Sequence, residues 1–325
     1  MNRRDCLMAL SLPWLVPACS GVDPLPAVRA GRIVRLDKFS SRFIDARHVD
    51  VWLPPGYGES GARHAVVYMH DGQALFDGRT AMSKTGWQVD AALLQLANKQ
   101  GLPLPIVVGI WNHPTLRHAE YFPQPMLDHI DPVARLALWE KVPLPARPFL
   151  GELVRDGRSR SAAYLRFMVE ELKPAIDARF ATRPDRDATF VMGSSMGGLI
   201  SLYALLHAPQ VFGAAAALST HWVGLFERND TVSDAALAWL RERLPAAQTA
   251  PPMRIYFDRG TAEMDASYAH AQTQVDALLR KRGWREPRAV SRVFDGAGHN
   301  ERAWAERVHL PLEFLLSQQQ GIGRT

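Results

Sequence analysis

Residues 191–198 read Val-Met-Gly-Ser-Ser-Met-Gly-Gly, and the fold can be inferred outward from this stretch. Residues 188–192 form a short apolar run suited to a buried strand, and residues 199–206 carry the apolar pattern of a helix. A strand, a tight glycine-rich turn and a helix place a serine at the top of a sheet, where the pattern Gly-x-Ser-x-Gly forms a nucleophile elbow. Ser195 is therefore the candidate nucleophile, and Ser194 falls at the variable position of the motif.

Strand-like and helix-like runs alternate through most of the chain. The strand-like runs are 33–36, 48–53, 65–70, 106–111, 188–192, 213–219, 253–257 and 289–294. The helix-like runs lie near 87–97, 162–180, 195–207, 234–243, 268–282 and 301–318. This alternation predicts an α/β fold with a mostly parallel sheet of about eight strands and helices on both faces. Because no helix separates the first two strands, we expect them to form an antiparallel edge.

Two predicted loops interrupt the alternation, at 112–160 and 222–232. Both follow strands at their C-terminal ends, where ligands bind in open α/β sheets. Long loops in compact domains are commonly functional. We therefore expect these two segments to form the walls of a substrate pocket. The absence of internal repeats favours one catalytic domain over residues 31–325.

The N-terminus has the pattern of an export signal. Asn2-Arg3-Arg4 is a basic start, and Cys6 to Ala18 is a mostly apolar stretch, too short to span a bilayer. The residues that follow resemble a bacterial lipobox, with Cys19 as the lipidated residue. We expect residues 1–18 to be a cleaved lipoprotein-type signal and 19–30 a tether, with an ordinary or twin-arginine signal as the alternatives. This predicts a membrane-anchored protein of the periplasm or cell envelope.

Composition excludes several classes of protein. The 325 residues are 47% hydrophobic, which suits a sizeable core, and the formal net charge is only +5 without runs of like charge. A nucleic-acid-binding role is therefore not expected. Cleavage and lipidation would leave no thiol of Cys6 or Cys19 in the folded part, and no Cys/His cluster has metal-ligand spacing. We expect no cofactor and no metal; the sequence leaves the oligomeric state open.

A serine nucleophile needs a base and an acid that orients it, and in this topology both follow the serine in the chain. His299 is the best candidate base, because it lies in a glycine-rich loop just beyond the last strand-like run. The acid is less certain from the sequence. Asp258 is on or next to a strand and is expected to fix the turn. Asp265 is favoured over Glu263, although Asp265 could instead cap the helix near residue 268.

The oxyanion formed in acyl transfer needs backbone N–H donors. One is expected from Met196, the residue after the nucleophile. The other is expected from Gln73, in the loop His70-Asp71-Gly72-Gln73 after the third strand, where Gly72 permits a sharp turn. The alternative interpretation of Asp71-Gly72 is a plain turn.

These motifs resemble the putative esterase (esterase D-like) family of the α/β-hydrolase superfamily. The matching segments cover almost the whole mature chain: 51–57, 70–73, Glu120-Tyr121, 193–198, Gly260-Thr261, and 298–301 with Trp304. The resemblance implies an α/β-hydrolase fold with Ser195, Asp265 and His299 as a triad, and with Gln73 and Met196 as oxyanion donors. Many relatives place the acid at the position of Glu263, so both acids remain candidates. Residues 219–222 depart from a Ser-Pro sequence that relatives often carry there.

The predicted function is that of a serine carboxylic-ester hydrolase acting through an acyl-enzyme. Its substrate would be a small-molecule or saccharide-linked ester. A siderophore-ester hydrolase and an acyltransferase, in which an alcohol replaces water, are alternatives on the same scaffold. A non-catalytic envelope binding protein is the third hypothesis. The sequence does not identify the acyl or alcohol group.

Overall fold

A computed structural model describes residues 23–81, 83–223 and 230–317. Eight strands form one sheet in the order β1-β2-β4-β3-β5-β6-β7-β8. The strands are β1 (Arg32–Phe39), β2 (Arg47–Leu53), β3 (Val66–His70), β4 (Ile106–Ile110), β5 (Thr189–Ser194), β6 (Ala214–Leu218), β7 (Arg254–Gly260) and β8 (Ala289–Phe294).

Strand direction confirms the predicted fold class. β1 pairs antiparallel with β2, and β2 pairs antiparallel with β4. All the remaining pairs, from β4 across to β8, are parallel. Since the carboxyl ends of parallel strands meet at one edge, the loops after β3, β5, β6, β7 and β8 converge there. The antiparallel pairing of β1 with β2 also confirms the predicted antiparallel edge.

Helices connect the parallel strands. They are α1 (Val89–Gln100), α2 (Arg117–Tyr121), α3 (Gln124–Leu127), α4 (Pro132–Glu140), α5 (Arg147–Leu150), α6 (Ser161–Arg166), α7 (Lys173–Arg179), α8 (Met196–His207), α9 (Asp230–Arg243), α10 (Ala269–Lys281), α11 (Glu301–Arg307) and α12 (His309–Leu316). A π-helical turn at Phe167–Leu172 joins α6 to α7, so the predicted helix over 162–180 is nearly continuous. The last predicted helix is two helices, α11 and α12.

The prediction of a long loop over 112–160 is wrong, because this insertion contains the four short helices α2 to α5 and a π-helical turn at Gly151–Arg155. The Asp131 carboxylate caps α4 by accepting hydrogen bonds from the N–H groups of Val133 and Ala134. Pro132 stands at the first position of that helix, where proline is well tolerated. Each helix is too short to show a clear apolar period, which explains why the sequence pattern reads as loop.

Two groups of buried apolar side chains hold the helices against the two faces of the sheet. Alternate residues of β3 divide between them: Val66 and Tyr68 pack on one side, and Val67 and Met69 on the other. β5 is buried along its whole length. A strand covered on both faces accounts for its continuous apolar sequence. The elbow therefore follows one of the most enclosed strands of the sheet.

Within the described ranges no helix is long and apolar enough to cross a bilayer. The predicted signal at 1–18, the lipidation site Cys19 and the first part of the tether lie outside the described residues. The same holds for residues 224–229 of the second predicted loop. Its end, from Asp230, is already part of α9.

Candidate active site

Ser195 occupies the turn between β5 and α8. Its backbone has φ 57° and ψ −125°, a conformation that non-glycine residues rarely adopt. The turn is sharp enough that a Cβ on Gly193 would lie 2.8 Å from the backbone of Gly197. A side chain at that position would force strand and helix apart. The glycine in the motif is thus needed for the close approach that the sequence pattern predicts.

The loops after β7 and β8 bring Asp265 and His299 together. His299 Nδ1 lies 2.6 Å from Asp265 Oδ1. Asp265 is fully buried and belongs to a 3₁₀ turn, Glu263–Tyr268. Burial works to raise the pKa of Asp265, but hydrogen bonds from His299, Ser219 and the Gly260 N–H outweigh it and lower that pKa. The carboxylate is therefore held in its ionised form beside the imidazole.

Asp265 does not cap the following helix, which was the alternative role considered for it. α10 begins at Ala269, and Tyr268 occupies the N-cap position. The Asp265 carboxylate points instead to the His299 imidazole. The sequence alone cannot separate these roles, because both place an aspartate a few residues before a helix.

Glu263 contacts the backbone of the histidine loop. Its carboxylate accepts a hydrogen bond from the His299 N–H at 2.9 Å and from Asn300 Nδ2 at 3.2 Å. Glu263 has φ 54°, a left-handed conformation. The two acidic residues thus contact different atoms of the same loop. Asp265 contacts the imidazole of His299, whereas Glu263 contacts the His299 N–H and the Asn300 side chain.

Asp258 lies within β7 and is fully buried, so the expectation that it fixes a turn is wrong. Its Oδ1 lies 3.3 Å from Arg307 Nη2, a group on α11. Burial raises the pKa of Asp258 to about 6, with Arg307 opposing that rise and Asp265 adding to it. The buried ion pair of Asp258 and Arg307 therefore lies next to the Asp265 carboxylate.

The loop after β3 lies against the elbow. Asp71 has φ 56°, and residues 72–74 form a 3₁₀ turn. A Cβ on Gly72 would lie 2.5 Å from the backbone of Gly109, so only glycine fits there. Within the described part of the chain, no oxygen accepts a hydrogen bond from the N–H of Gln73 or of Met196. Two backbone donors at the predicted positions therefore have no protein acceptor among the described residues.

Residues of the insertion at 112–160 hold the Asp71 side chain in place. Arg117 from α2 makes two hydrogen bonds to the Asp71 carboxylate, at 2.7 and 2.8 Å, and Asn112 Nδ2 adds a third at 2.6 Å. Burial opposes ionisation of Asp71, but the charge of Arg117 together with the hydrogen bonds from Arg117 and Asn112 outweighs it and lowers the pKa of the carboxyl. Residues of the insertion thus hold the loop that carries Gln73.

His70 lies beneath the elbow, at the end of β3. Its Nδ1 is 2.9 Å from the Tyr164 hydroxyl, and burial lowers the pKa of its imidazole to about 3. A Cβ on Gly197 would meet the His70 Cβ at 3.3 Å. The neutral His70 therefore packs under the turn that carries Ser195, with its Nδ1 bonded to Tyr164.

Tyr268 and His221 border Ser195. The Tyr268 hydroxyl is 2.6 Å from His221 Nδ1, and the Tyr268 ring meets the His299 ring edge to face at 5.5 Å. Burial raises the pKa of Tyr268, while a hydrogen bond with Ser195 acts in the opposite direction. Among the described residues, no hydrogen bond joins Ser195 to His299. Such contacts are often long before substrate binds.

The structure therefore brings His299 and Asp265 together and places Ser195, Gln73 and Met196 at the same edge of the sheet. It also shows residues that sequence reasoning did not assign: Arg117, Ser219, His221, Tyr268 and Arg307. The only signal for any of them was the unusual sequence at 219–222. Within the described ranges, no group of three or more His, Cys, Asp or Glu side chains is placed to hold a metal ion.

Comparison with known proteins gives a family match over part of the chain. The putative-esterase family model matches residues 152–311, which include the elbow, both acidic residues and the histidine loop. The iron(III) enterobactin esterase of Dickeya dadantii is 34% identical over 164 residues, which cover 46% of this chain and 35% of that protein. An uncharacterized Bacillus subtilis protein, YbbA, is 22% identical over 282 residues, covering 84% of this chain and 94% of its own.

A solved structure supports the fold over most of the chain. The IroE-like serine hydrolase from Shewanella oneidensis superposes with a TM-score of 0.63 at 20% identity. The superposition covers 87% of this chain and 78% of that one. The match over residues 152–311 and the shared fold thus identify the part of the chain that carries the elbow and the histidine loop with the putative esterase family.

Proposed function

We propose that this protein is a serine carboxylic-ester hydrolase in which Ser195, His299 and Asp265 act as nucleophile, base and orienting acid. The contact between His299 Nδ1 and Asp265 Oδ1 at 2.6 Å carries the proposal. It leaves the other ring nitrogen, Nε2, as the atom able to take the proton of a serine hydroxyl. The elbow turn at Ser195 supports the nucleophile assignment.

The proposed reaction is acyl transfer in two steps. His299 Nε2 removes the Ser195 proton while Oγ bonds to the carbonyl carbon of the ester. The oxyanion accepts hydrogen bonds from the N–H groups of Gln73 and Met196. As the C–O bond to the leaving alcohol breaks, His299 returns the proton to the alcohol oxygen. Water then repeats the sequence on the acyl-enzyme and releases the acid.

The acid assignment is supported by what each carboxylate touches. Asp265 contacts the imidazole, whereas Glu263 accepts hydrogen bonds from the loop that carries it. An aspartate at Nδ1 fixes the tautomer and stabilises the imidazolium that forms during attack. Glu263, which is bonded to the His299 N–H and the Asn300 side chain and not to the imidazole, cannot do this.

The substrate proposal draws on the relatives. The name of the Dickeya relative states that it acts on iron(III) enterobactin. We therefore include siderophore esters among the proposed substrates, alongside small-molecule and saccharide-linked esters. Export to the cell envelope with a lipid anchor at Cys19 belongs to the same proposal, and the basic and apolar start of the sequence supports it.

Labelling with a fluorophosphonate, followed by a panel of esters, tests the proposed function. We expect one covalent adduct, on Ser195 and not on Ser194, and hydrolysis of p-nitrophenyl acetate or butyrate. Adding alcohol acceptors and analysing the products separates hydrolysis from acyl transfer. Absence of both labelling and turnover would favour a binding protein with the same fold.

A further inference from the structure

Ser219 follows β6 directly and lies at the centre of a buried polar network. Its side chain is fully buried, and its backbone has φ 43°. A serine in the left-handed region is uncommon, and strained residues of this kind cluster at functional sites. The Ser219 N–H donates to the Asp258 carbonyl at 2.8 Å, which ties this residue to β7.

The hydrogen bonds around Ser219 determine which atom accepts the proton of its hydroxyl group. Trp304 Nε1 lies 3.0 Å from the Ser219 Oγ, and Arg307 Nη2 lies 2.9 Å from it. Indole and guanidinium nitrogens only donate, and a hydroxyl has two acceptor lone pairs and one proton. Both lone pairs are therefore occupied. The remaining contact, to Asp265 Oδ2 at 2.6 Å, must use the hydroxyl proton of Ser219.

The two oxygens of Asp265 consequently have different partners. Oδ2 accepts from the Ser219 hydroxyl and from the Gly260 N–H, at 2.6 and 2.5 Å. Oδ1 contacts the His299 imidazole. With Oδ2 saturated, the carboxylate is fixed in rotation and Oδ1 is kept for the histidine.

Arg307 is itself held in place by a second carboxylate. Its Nη2 lies 3.3 Å from Asp258 Oδ1 and 3.8 Å from Asp265 Oδ2. Removing Asp258 would leave a buried guanidinium without its nearest negative partner, which is costly. The network thus runs from Asp258 through Arg307 and Ser219 to Asp265.

We propose that Ser219 is a positioning residue for catalysis, acting through Asp265 to hold His299 in its working orientation. This inference rests on the proposed function, since it assigns a role to Ser219 only if His299 is the base. Its chemistry differs from that of the triad, because Ser219 contacts no reacting atom. It stabilises the ionised acid, and it sets which oxygen faces the imidazole.

Two variants remove the hydroxyl in complementary ways. Ser219→Ala keeps the Cβ, and Ser219→Gly suits the left-handed backbone, so backbone strain differs between the two while the loss of the hydroxyl is the same. Both are compared with wild type only as samples that fold by circular dichroism. We expect kcat on p-nitrophenyl butyrate to fall on the order of 10- to 100-fold in both, as for loss of a hydrogen bond to a charged group. KM should be unchanged, because Ser219 does not touch the substrate.

The pH profile separates positioning from a general structural effect. Loss of the hydroxyl donor makes the Asp265 carboxylate a stronger acceptor, so a proton binds the Asp265–His299 pair more readily and the acid limb of the kcat/KM profile should move to higher pH in both variants. Thr182→Val is the matched control. Thr182 is also fully buried and donates to a carboxylate, Asp177, at 2.7 Å, but it lies beyond the amino end of β3. Its profile should match that of the wild type.

A double-mutant cycle tests the route through the acid. Ser219→Ala should cost little in an Asp265→Asn background, because the partner it positions is already lost. Additive losses, or single variants with the wild-type rate and acid limb, would overturn the inference while leaving the hydrolase proposal intact. A wild-type protein without Ser195-dependent ester hydrolysis would instead overturn the proposed function.

Discussion

His299 contacts Asp265 through its imidazole and Glu263 through its backbone. The distances are 2.6 Å from Nδ1 to Asp265 Oδ1 and 2.9 Å from the main-chain nitrogen to Glu263 Oε2. Two acidic residues therefore bind the loop that carries His299. Only Asp265 contacts the ring, so only Asp265 can influence its tautomer.

The two acids should respond differently to neutralisation. Asp265→Asn keeps the shape but replaces an ionic acceptor with an amide, and turnover should fall by about 10³- to 10⁴-fold, as when a triad acid is lost. Glu263→Gln keeps an acceptor oxygen for the His299 N–H and should cost less than about 10-fold. Steady-state rates on folded samples measure both. A larger loss in Glu263→Gln would transfer the acid role to that residue.

The loop that carries Gln73 should depend on the ion pair between Asp71 and Arg117. Asp71→Asn suits the left-handed backbone but removes the charge opposite Arg117, so the loop loses its anchor. We expect kcat to fall by about 10-fold, less than the loss of a whole oxyanion donor. Asp156→Asn, in a surface pair with Arg155, is the control and should keep the wild-type rate. Equal rates in the two variants would contradict the role of the ion pair.

Asp258 should make the stability of the protein depend on pH. Burial raises the pKa of this carboxyl from 3.8 to about 6. The folded state then binds more protons than the unfolded chain between these values. This group therefore adds stability below about pH 4 and loses that contribution as the pH rises through 6. Relative to wild type, Asp258→Asn should gain free energy of unfolding as the pH rises from about 4 to 7.

Urea unfolding of both proteins across that range measures the difference directly. Asp265, whose pKa is lowered, has the opposite dependence, and because it is present in both proteins most of its contribution drops out of the comparison. A difference in unfolding free energy that stays constant with pH would show that Asp258 is ionised throughout.

The elements of the sheet could be predicted from the sequence because each central strand is a short apolar run bounded by turn residues. The sequence favours Asp265 over Glu263 as the acid but leaves both as candidates, because the two residues occupy one short turn and nothing in the sequence shows that Glu263 has a left-handed backbone. Arg307 was missed for a related reason. It stands among the charged residues of α11, and nothing in that pattern shows that its guanidinium is buried.

Cys19 should determine where the protein is found. If residues 1–18 are a lipoprotein signal, the mature chain begins at an acylated Cys19 and sediments with membranes. Cys19→Ala should block processing or release the protein. Cys6→Ala is the matched control, because that cysteine lies within the removed segment, and it should fractionate as wild type. An intact Met1 by mass spectrometry, or a mature start elsewhere without acylation, would contradict the prediction.

Ester hydrolysis by Ser195→Ala is the most direct measurement of the central claim. The variant removes only the hydroxyl from a turn whose backbone is set by its neighbouring glycines, so it should fold as wild type by circular dichroism. We expect its kcat on p-nitrophenyl butyrate to fall by about 10⁶-fold, and adding His299→Ala should make it little worse, since the two act as a unit. A folded Ser195→Ala protein with the wild-type rate would contradict the assignment of Ser195 as the nucleophile.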